Sequence, residues 1–320
     1  MSKPFFRFSP RPNRAAEIHW QPWDAQVFAQ AQAERKPVLL SISAVWCHWC
    51  HVMDETTYST PEIINRINAA FIPIRVDNDQ RPDINQRYNM GGWPTTAFLS
   101  PHGEILTGGT FFSPEQMASV LDQVLNYWNT HQEEIGAQLA APAEPPINPA
   151  LNTPESASVE KVIDALRTQF DRAYGGIGIM PKFPQPDVWE FALSYFAATG
   201  DGSAAGMVVR TLDVMAGSAI FDGIGGGFFR YSTSREWNAP HFEKLLEDNA
   251  LMILLYLHSF QLLGDESYRQ VAAGTLQWAN QMLLNDRGLW RGSQDADEEY
   301  YQLPPEEREK AAPPAVDPLV

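Results

Sequence analysis

The sequence contains very little cysteine. Two cysteines occur among 320 residues, and they lie three positions apart, at Cys47 and Cys50. A pair this close cannot build the long-range disulfide framework that stabilises small secreted domains. The two thiols are therefore expected to act together as one local device.

The chain is also poor in basic residues and lacks long apolar runs. It has 23 Lys and Arg against 39 Asp and Glu, a formal net charge of −16, which opposes binding to nucleic-acid phosphates or anionic lipid. No run of about 18 uncharged apolar residues is present, as a transmembrane helix requires, and residues 1–14 lack the apolar segment of an export signal. We predict a cytoplasmic protein that has neither nucleic acid nor a membrane as its partner.

Residue patterns divide the chain into two domains. Residues 1–136 follow the order strand, helix, strand, helix, hairpin, helix, which predicts an α/β thioredoxin-like domain. Residues 137–157 contain five prolines among Ala, Asn and Ser and are predicted to form an extended linker. The chain is long enough for both domains to bury a core.

The second domain is predicted to be all α-helical. Residues 158–302 contain helix patterns near 158–171, 187–199, 204–219, 240–263 and 266–285, interrupted by glycine-rich loops. Residues 303–320 combine five prolines with a charge cluster, which predicts a flexible tail.

The dithiol lies between a predicted buried strand, at residues 37–44, and a helix. A cysteine at a helix N-terminus is stabilised as the thiolate by unpaired amide groups and the helix dipole. Cys47 occupies this position and is the predicted nucleophile. Cys50, about one helical turn later, would resolve the mixed disulfide.

Several neighbours are predicted to tune the dithiol or to present the substrate. His48 and His51 would place positive charge beside the sulfurs, although His51 is also spaced for a helix-surface ion pair with Glu55. Pro94 precedes a predicted strand, where a thioredoxin fold places a cis-proline loop that faces the dithiol and binds extended substrate. The tryptophans in the same group are Trp46, Trp49 and Trp93.

Three other interpretations of the motif remain open. The string from Cys47 to His51 also satisfies the CxxCH pattern of covalent c-type haem, but such haem is attached outside the cytoplasm. Zinc would need a fourth ligand besides Cys47, Cys50 and His51, and no second ligand pair follows in the sequence. Two inert buried cysteines are the third alternative. We predict no cofactor and no metal.

A set of motifs spread over residues 5–300 resembles the spermatogenesis-associated protein 20 family, also called the YyaL-type thioredoxin-domain proteins. The first-half motifs are WCHWCHVM at 46–53, VD at 76–77, RPD at 81–83, GGWPT at 91–95 and GGTFF at 108–112. The second-half motifs are GG at 175–176, PKFP at 181–184, GGGF at 225–228, HFEK at 241–244, DNA at 248–250 and SQDAD at 293–297.

The resemblance implies a thioredoxin-like domain joined to a helical α/α toroid of the six-hairpin type found in glycosidases and sugar 2-epimerases. Two departures stand out. Ser41 occupies the position of the buried acid in thioredoxins proper, which argues against efficient general disulfide reduction. The toroid looks incomplete, so an oligomer or a missing C-terminal half is expected to cover its apolar edge.

Loops of such toroids hold sugar sites, which makes one group of polar and aromatic residues candidates. The candidates are Asp222, Arg230, Tyr231, Trp237, His241, Glu243, Lys244, Asp295 and Asp297. Two simpler explanations compete: His241 and Glu243 could belong to the first turn of the following helix, and Asp295 and Asp297 could bind calcium or water. The glycines at 223–227 lack a following Lys-Ser or Lys-Thr pair, so they do not indicate a phosphate loop.

The leading functional prediction is a thiol–disulfide oxidoreductase whose partners are protein thiols or disulfides. The alternative is a carbohydrate-active helical domain, epimerase-like or glycosidase-like, with an accessory thioredoxin domain and a carbohydrate as partner. A further alternative is a non-catalytic scaffold that binds other proteins.

Overall fold

A computed structural model describes residues 6–139 and 156–317 of the chain. The chain divides into two compact units, Met1–Asn148 and Pro149–Val320. The division falls within the segment 137–157 that is predicted to be a linker. Residues 137–139 and 156–157 belong to helices, which corrects the two ends of that prediction. Residues 140–155 lie outside the described residues, so an extended linker there stays a prediction.

The first unit contains the predicted alternation of strands and helices. Its elements are α1 (Ala25–Glu34), β1 (Val38–Ser43), α2 (His48–Glu55), α3 (Pro61–Ala70), β2 (Ile72–Asp77), α4 (Pro82–Tyr88), β3 (Thr95–Leu99), β4 (Ile105–Gly109) and α5 (Pro114–Leu139). The four-stranded sheet has the order β2-β1-β3-β4, with β1 parallel to β2 and antiparallel to β3. Gln21 adds a parallel bridge outside β2. This is the thioredoxin arrangement.

Strand β1 is central and apolar on both faces because helices cover the sheet on each side. Leu39 packs with Tyr58 and Phe98 in one core, whereas Leu40 and Ile42 belong to a second core on the opposite face. Both faces of β1 are therefore buried, and the dithiol follows the carboxyl end of this strand.

The second unit is built mainly of helices. They are α6 (Ser156–Gln169), α7 (Pro186–Thr199), α8 (Gly202–Ala216), α9 (Leu246–Leu263), α10 (Glu266–Trp278), α11 (Glu298–Tyr301) and α12 (Pro305–Arg308). Helix α7 packs against α8 and α9, and α9 packs against α10. Their shared core contains Trp189, Leu212, Leu255 and Tyr256. An α/β thioredoxin-like unit followed by a mainly helical unit confirms the predicted order of fold classes.

Short strands in the loops were not predicted. They are β5 (Tyr231–Ser232), β6 (Pro240–His241), β7 (Lys244–Leu245) and β8 (Ser293–Gln294), and they pair as β5 with β6 and β7 with β8. The helix predicted from residue 240 therefore begins at Leu246, and the placement of His241 and Glu243 in its first turn is wrong. After Trp278 the chain makes a π-helical turn, Ala279–Leu283.

The predicted flexible tail is packed over residues 303–317, which corrects that prediction. Arg308 and Asp317 are buried. The backbone nitrogen of Asp295 donates to the carbonyl of Ala315, and that of Asp317 donates to the carbonyl of Ser293. Proline at 313 and 314 keeps the backbone extended, and an extended segment can pair with a strand at the residues that retain their amide hydrogens. Residues 318–320 lie outside the described part.

Among the described residues, no helix is both long enough and apolar enough to cross a lipid bilayer.

Candidate functional site

Cys47 and Cys50 form a disulfide at the start of α2, with their Cα atoms 5.2 Å apart. Cys47 is the N-cap residue, and its extended backbone ends the loop that follows β1. Its Sγ accepts a hydrogen bond from the backbone nitrogen of Cys50 at 3.1 Å. Its carbonyl oxygen accepts from the nitrogens of Cys50 and His51 at 3.1 and 3.2 Å.

This geometry places the predicted nucleophile where the helix favours negative charge. The amide groups of a first helical turn have no partners within the helix, and a sulfur at the N-cap accepts from one of them. When the disulfide is reduced, a thiolate at Cys47 would gain a charge-assisted hydrogen bond there and a favourable dipole interaction. Both cysteines are buried, so these interactions are poorly screened by water.

Aromatic rings surround the dithiol. The Trp46 ring packs edge-on against Trp93 at 5.6 Å between centroids, and its indole nitrogen donates to Asp79 at 3.0 Å. The Trp93–Pro94 peptide bond is cis, as predicted. The Trp46–Trp93 contact therefore places the cis-proline loop beside the motif.

An exposed aromatic pair lies on another side of the motif. Trp49, with 41% of its surface exposed, packs against Phe111 at 5.2 Å between ring centroids. Phe111 and Asp79 were not predicted, because their contacts with the tryptophans join distant parts of the chain.

His51 lies against the loop that precedes the motif. Its Nε2 lies 3.0 Å from the carbonyl oxygen of Val45 and must carry a proton to donate there. Burial lowers the pKa of His51, against the attraction of Asp54 and Glu55, so the neutral ring is favoured over a source of positive charge. Glu55 also accepts from Ser9 Oγ at 2.5 Å, and the predicted pair of His51 with Glu55 stays a prediction. His48 packs edge-on against Trp49.

The buried carboxylate of this unit lies on α2. Asp54 accepts two hydrogen bonds from the Arg75 guanidinium, each 2.9 Å long, and one from the backbone nitrogen of Ser9 at 3.0 Å. Both carboxylate oxygens of Asp54 are therefore engaged in hydrogen bonds. Ser41 is buried in β1, and its side chain hydrogen-bonds Tyr58.

The described residues contain no group of three or more His, Cys, Asp or Glu side chains arranged to hold a metal ion.

In the second unit, Asp222 and Lys244 are buried together in a salt bridge. Lys244 Nζ donates to Asp222 Oδ2 at 2.6 Å and to the Gly226 carbonyl at 2.7 Å. Arg308 also donates to Asp222 Oδ2. Although burial opposes the shift, the two cations lower the pKa of Asp222 to about 2. Burial lowers the pKa of Lys244 to about 8, against the attraction of Asp222.

An earlier loop repeats this arrangement. Lys182 Nζ donates to Asp171 Oδ2 at 2.7 Å and to the Gly175 carbonyl at 2.6 Å, and Arg235 donates twice to Asp171. Trp237 packs over Lys182 at 5.2 Å, as Trp278 packs over Lys244 at 5.3 Å.

The repeat has a sequence signal that was overlooked. Phe-Asp is followed after three residues by Gly-Gly, at residues 170–176 and again at 221–227. The second glycine of each pair has positive φ. A Cβ at Gly176 would meet Trp237 at 2.6 Å, and one at Gly227 would meet Trp278 at 2.9 Å.

Three other candidates lie together on a separate part of the second unit. Tyr231 stacks on His241 at 4.5 Å between ring centroids, and Arg230 lies 5.6 Å from the Tyr231 ring. Phe183, which was not predicted, extends the stack at 5.0 Å. Burial raises the pKa of Asp248 to about 6, with Arg230 opposing the shift, so Asp248 is also a missed titratable neighbour.

The remaining candidates lie elsewhere. Trp237 is fully buried and donates to the Tyr174 carbonyl. Glu243 is also buried. Asp297 caps α11 through the backbone nitrogen of Tyr300, and Asp295 accepts from the nitrogen of Ala296. These contacts give Asp295 and Asp297 local roles in the loop.

The fold and the dithiol define the first unit as a thioredoxin-like domain with a Cys-X-X-Cys pair. The family described as Thioredox_DsbH, protein of unknown function, DUF255, matches residues 11–144. The chain is 35% identical over 306 residues to spermatogenesis-associated protein 20 of Homo sapiens, covering 88% of the chain and 39% of that protein. The chain is therefore homologous to spermatogenesis-associated protein 20 over most of its own length, which confirms the resemblance, and it spans about two fifths of that relative.

Two further proteins are similar to smaller parts of the chain. The thiol:disulfide interchange protein DsbD of Campylobacter jejuni (strain RM1221) is 27% identical over 100 residues, covering 30% of this chain and 18% of that protein. A sugar epimerase from a ruminal bacterium is a structural neighbour, with a TM-score of 0.39 and 14% identity, covering 44% of this chain and 40% of that one.

Proposed function

We propose that the first unit exchanges disulfides with thiols of partner proteins through Cys47. The observation that carries this proposal is the position of Cys47 Sγ at the N-cap of α2, 3.1 Å from a backbone nitrogen. A thiolate at that site is stabilised without any neighbouring cation. The likeness to the thiol:disulfide interchange proteins supports the same chemistry.

In the reducing direction, the Cys47 thiolate attacks one sulfur of a partner disulfide. An S–S bond forms to Cys47, the partner S–S bond breaks, and one partner thiolate leaves. Cys50, deprotonated, then attacks Cys47 Sγ and releases the second partner thiolate. Two electrons pass to the partner. Its two thiolates take up the proton of Cys50 and one proton from water, which replaces the proton that Cys47 released on ionising. Oxidation of a partner is the reverse.

The resolving step requires a base that removes the proton from Cys50, and neither Ser41 nor Asp54 is suited to that role. Ser41 cannot accept a proton as a carboxylate would, and Asp54 is committed to Arg75. The released partner thiolate is then the nearest base that the reaction itself supplies. We expect a mixed disulfide at Cys47 to last longer here than in a protein with a buried acid under Cys50.

The surroundings favour a polypeptide substrate. Trp49 and Phe111 form a partly exposed apolar edge beside the motif. A cis-proline loop lies next to Trp46, and backbone groups of such a loop pair with an extended chain. A partner segment that carries an apolar side chain next to its cysteine fits this edge.

The test is redox titration of the full chain in glutathione buffers, followed by alkylation and mass measurement. We expect a two-electron transition at Cys47–Cys50 and turnover of a protein disulfide. Cys47→Ser abolishes the turnover, whereas Cys50→Ser accumulates a mixed disulfide with the partner. A pair that stays oxidised across the buffer range, or turnover that survives Cys47→Ser, refutes the proposal.

The stack of Phe183, Tyr231 and His241 supports a second candidate, a carbohydrate-binding helical unit. Aromatic faces pack against the apolar faces of sugar rings, and Arg230 and Asp248 would supply hydrogen bonds. The test is sugar-dependent thermal stabilisation that persists in Cys47→Ser and disappears in Tyr231→Ala. If partner proteins bind equally to the wild type and to Cys47→Ser, with no turnover of either ligand, a scaffold role is favoured instead.

A further inference from the structure

We propose that the cavity beside Asp222, Lys244 and Arg308 binds a small organic anion that carries a carboxylate or phosphate group. The cavity lies within the second unit and has a volume of about 220 Å³. At about 30 Å³ for each water molecule, this is room for roughly seven waters. A compact metabolite-sized molecule fits a space of this size.

The buried charges at the cavity are unbalanced. Lys244 and Arg308 are two cations, and Asp222 is the one carboxylate within salt-bridge distance of either of them in the described part of the chain. Glu309 also lines the cavity, but it is exposed, so water screens its charge. The Oδ1 atom of Asp222 already accepts from the backbone nitrogens of Ile224 and Gly225. Its Oδ2 accepts from both cations. The carboxylate is therefore saturated, while the cluster keeps one excess positive charge.

That excess charge is buried, which is costly unless a counter-charge is present. The side chain of Arg308 is only 7% exposed and that of Lys244 only 1%. The repulsion between the two cations adds to the lowering of the Lys244 pKa. An anion in the adjoining cavity would neutralise this charge and accept hydrogen bonds from the remaining N–H groups of the two cations.

The repeated cluster in the same unit provides an internal comparison. Asp171, Lys182 and Arg235 have the same charges, and both cations again pair with the one carboxylate. Arg235, however, is 44% exposed, so water screens the excess charge at that cluster. Arg308 is only 7% exposed and lines the cavity, so whatever fills the cavity must balance its charge.

The cavity walls suit the rest of such a molecule. Trp278 and Tyr301 offer ring surfaces, and Gln281 offers an amide group. Gln281 belongs to the π-helical turn Ala279–Leu283, and π-turns inside helices occur often at functional sites. The ligand class is therefore an anion with a polar body, and its charged group lies at Lys244 and Arg308.

Thermal unfolding of the full chain tests the proposal. The probes are inorganic phosphate and citrate, with sodium chloride at matched ionic strength and glucose as controls. We expect saturable stabilisation by at least one of the two anions and none by chloride or glucose. Arg308→Gln should weaken the apparent affinity by roughly tenfold or more. Arg235→Gln, the matched change in the other cluster, should leave the affinity unchanged.

Met282→Trp provides a second variant, because it fills the cavity and leaves the ion pairs in place. It should abolish the stabilisation by the anions even if Arg308→Gln fails to fold. Absence of stabilisation by both anions in the wild type overturns the proposal. Equal loss in Arg235→Gln, or full retention in a folded Met282→Trp protein, overturns it as well.

Discussion

Cys47 Sγ lies 3.1 Å from the backbone nitrogen of Cys50, so the atom that caps α2 is also the proposed nucleophile. Capping and reactivity can therefore be separated by substitution. A hydroxyl keeps the cap and removes the exchange chemistry, while a methyl group removes both.

We expect Cys47→Ser to abolish disulfide exchange while keeping the stability of the reduced protein. Serine is a good N-cap residue, so its Oγ should replace the sulfur as acceptor. Cys47→Ala should lose exchange and also about 1 kcal/mol of unfolding free energy. Urea unfolding under reducing conditions measures the difference, and equal stability of the two variants would contradict the capping role.

Trp49→Ala should impair turnover of a protein disulfide more than turnover of a small one. The exposed ring contacts Phe111 and offers apolar surface to a polypeptide, whereas a small disulfide needs only the sulfur of Cys47. We expect KM for the protein substrate to rise about tenfold, the effect of losing about 1.4 kcal/mol, with kcat unchanged. The control is Trp23→Ala, which removes an indole that packs against the core containing Leu40 and Ile42. An equal effect on the two substrates would contradict this prediction.

Arg75→Met should destabilise the first unit by about 3–5 kcal/mol, because it leaves Asp54 buried without its partner. Arg66→Met provides the comparison, since Arg66 pairs with the exposed Asp122 and exposed pairs contribute about 1 kcal/mol or less. Chemical unfolding measures the two variants. The double variant Arg75→Met/Asp54→Leu should recover part of the loss, and no recovery would show that packing around Arg75 matters more than the charge.

Asp248→Asn should stabilise the second unit near neutral pH and have little effect at low pH. The pKa of Asp248 is raised from 3.8 to about 6 in the folded protein, so folding favours its protonated form. Its contribution to stability is fully present below pH 3.8 and is lost as the pH rises through about 6. Unfolding curves between pH 4 and pH 8 test this sign, and a variant whose advantage grows toward low pH would contradict it.

Anion binding in the second unit should weaken as the pH rises through about 8. Lys244 is charged below its pKa of about 8, and the groups that face it are Asp222, Arg308 and Tyr301. Arg308 stays charged, so weak binding should remain above that pH. Titration of the stabilising anion at pH 6.5 and pH 9 checks the effect, and equal affinities would mean that Lys244 does not contact the anion.

The sequence predicted features that depend on neighbours along the chain. The dithiol, its helix and the strand before it lie within a few residues of one another, and the patterns of apolar residues predicted the order of strands and helices along the chain. The cis bond at Pro94 was predicted because its place between a helix and a hairpin is characteristic of one fold.

The missed features join distant residues. Arg75 finds Asp54 only after β2 and α2 pack together, and burial decides that the neutral form of His51 is favoured. Composition alone suggested that residues 303–317 would stay loose, but backbone hydrogen bonds to β8 order them. The repeated Phe-Asp pattern is present in the sequence. Only the structure shows that the Asp of each copy pairs with a buried lysine, Lys182 or Lys244.

Arg308 reaches back over 86 residues to Asp222, which has a consequence for synthesis on the ribosome. The loop around Asp222 can pair with Lys244 as soon as α9 has emerged. Arg308 can complete the wall of the cavity only after residue 308 itself has left the exit tunnel. A nascent chain arrested before that point should contain the Asp222–Lys244 pair and lack the cavity beside it.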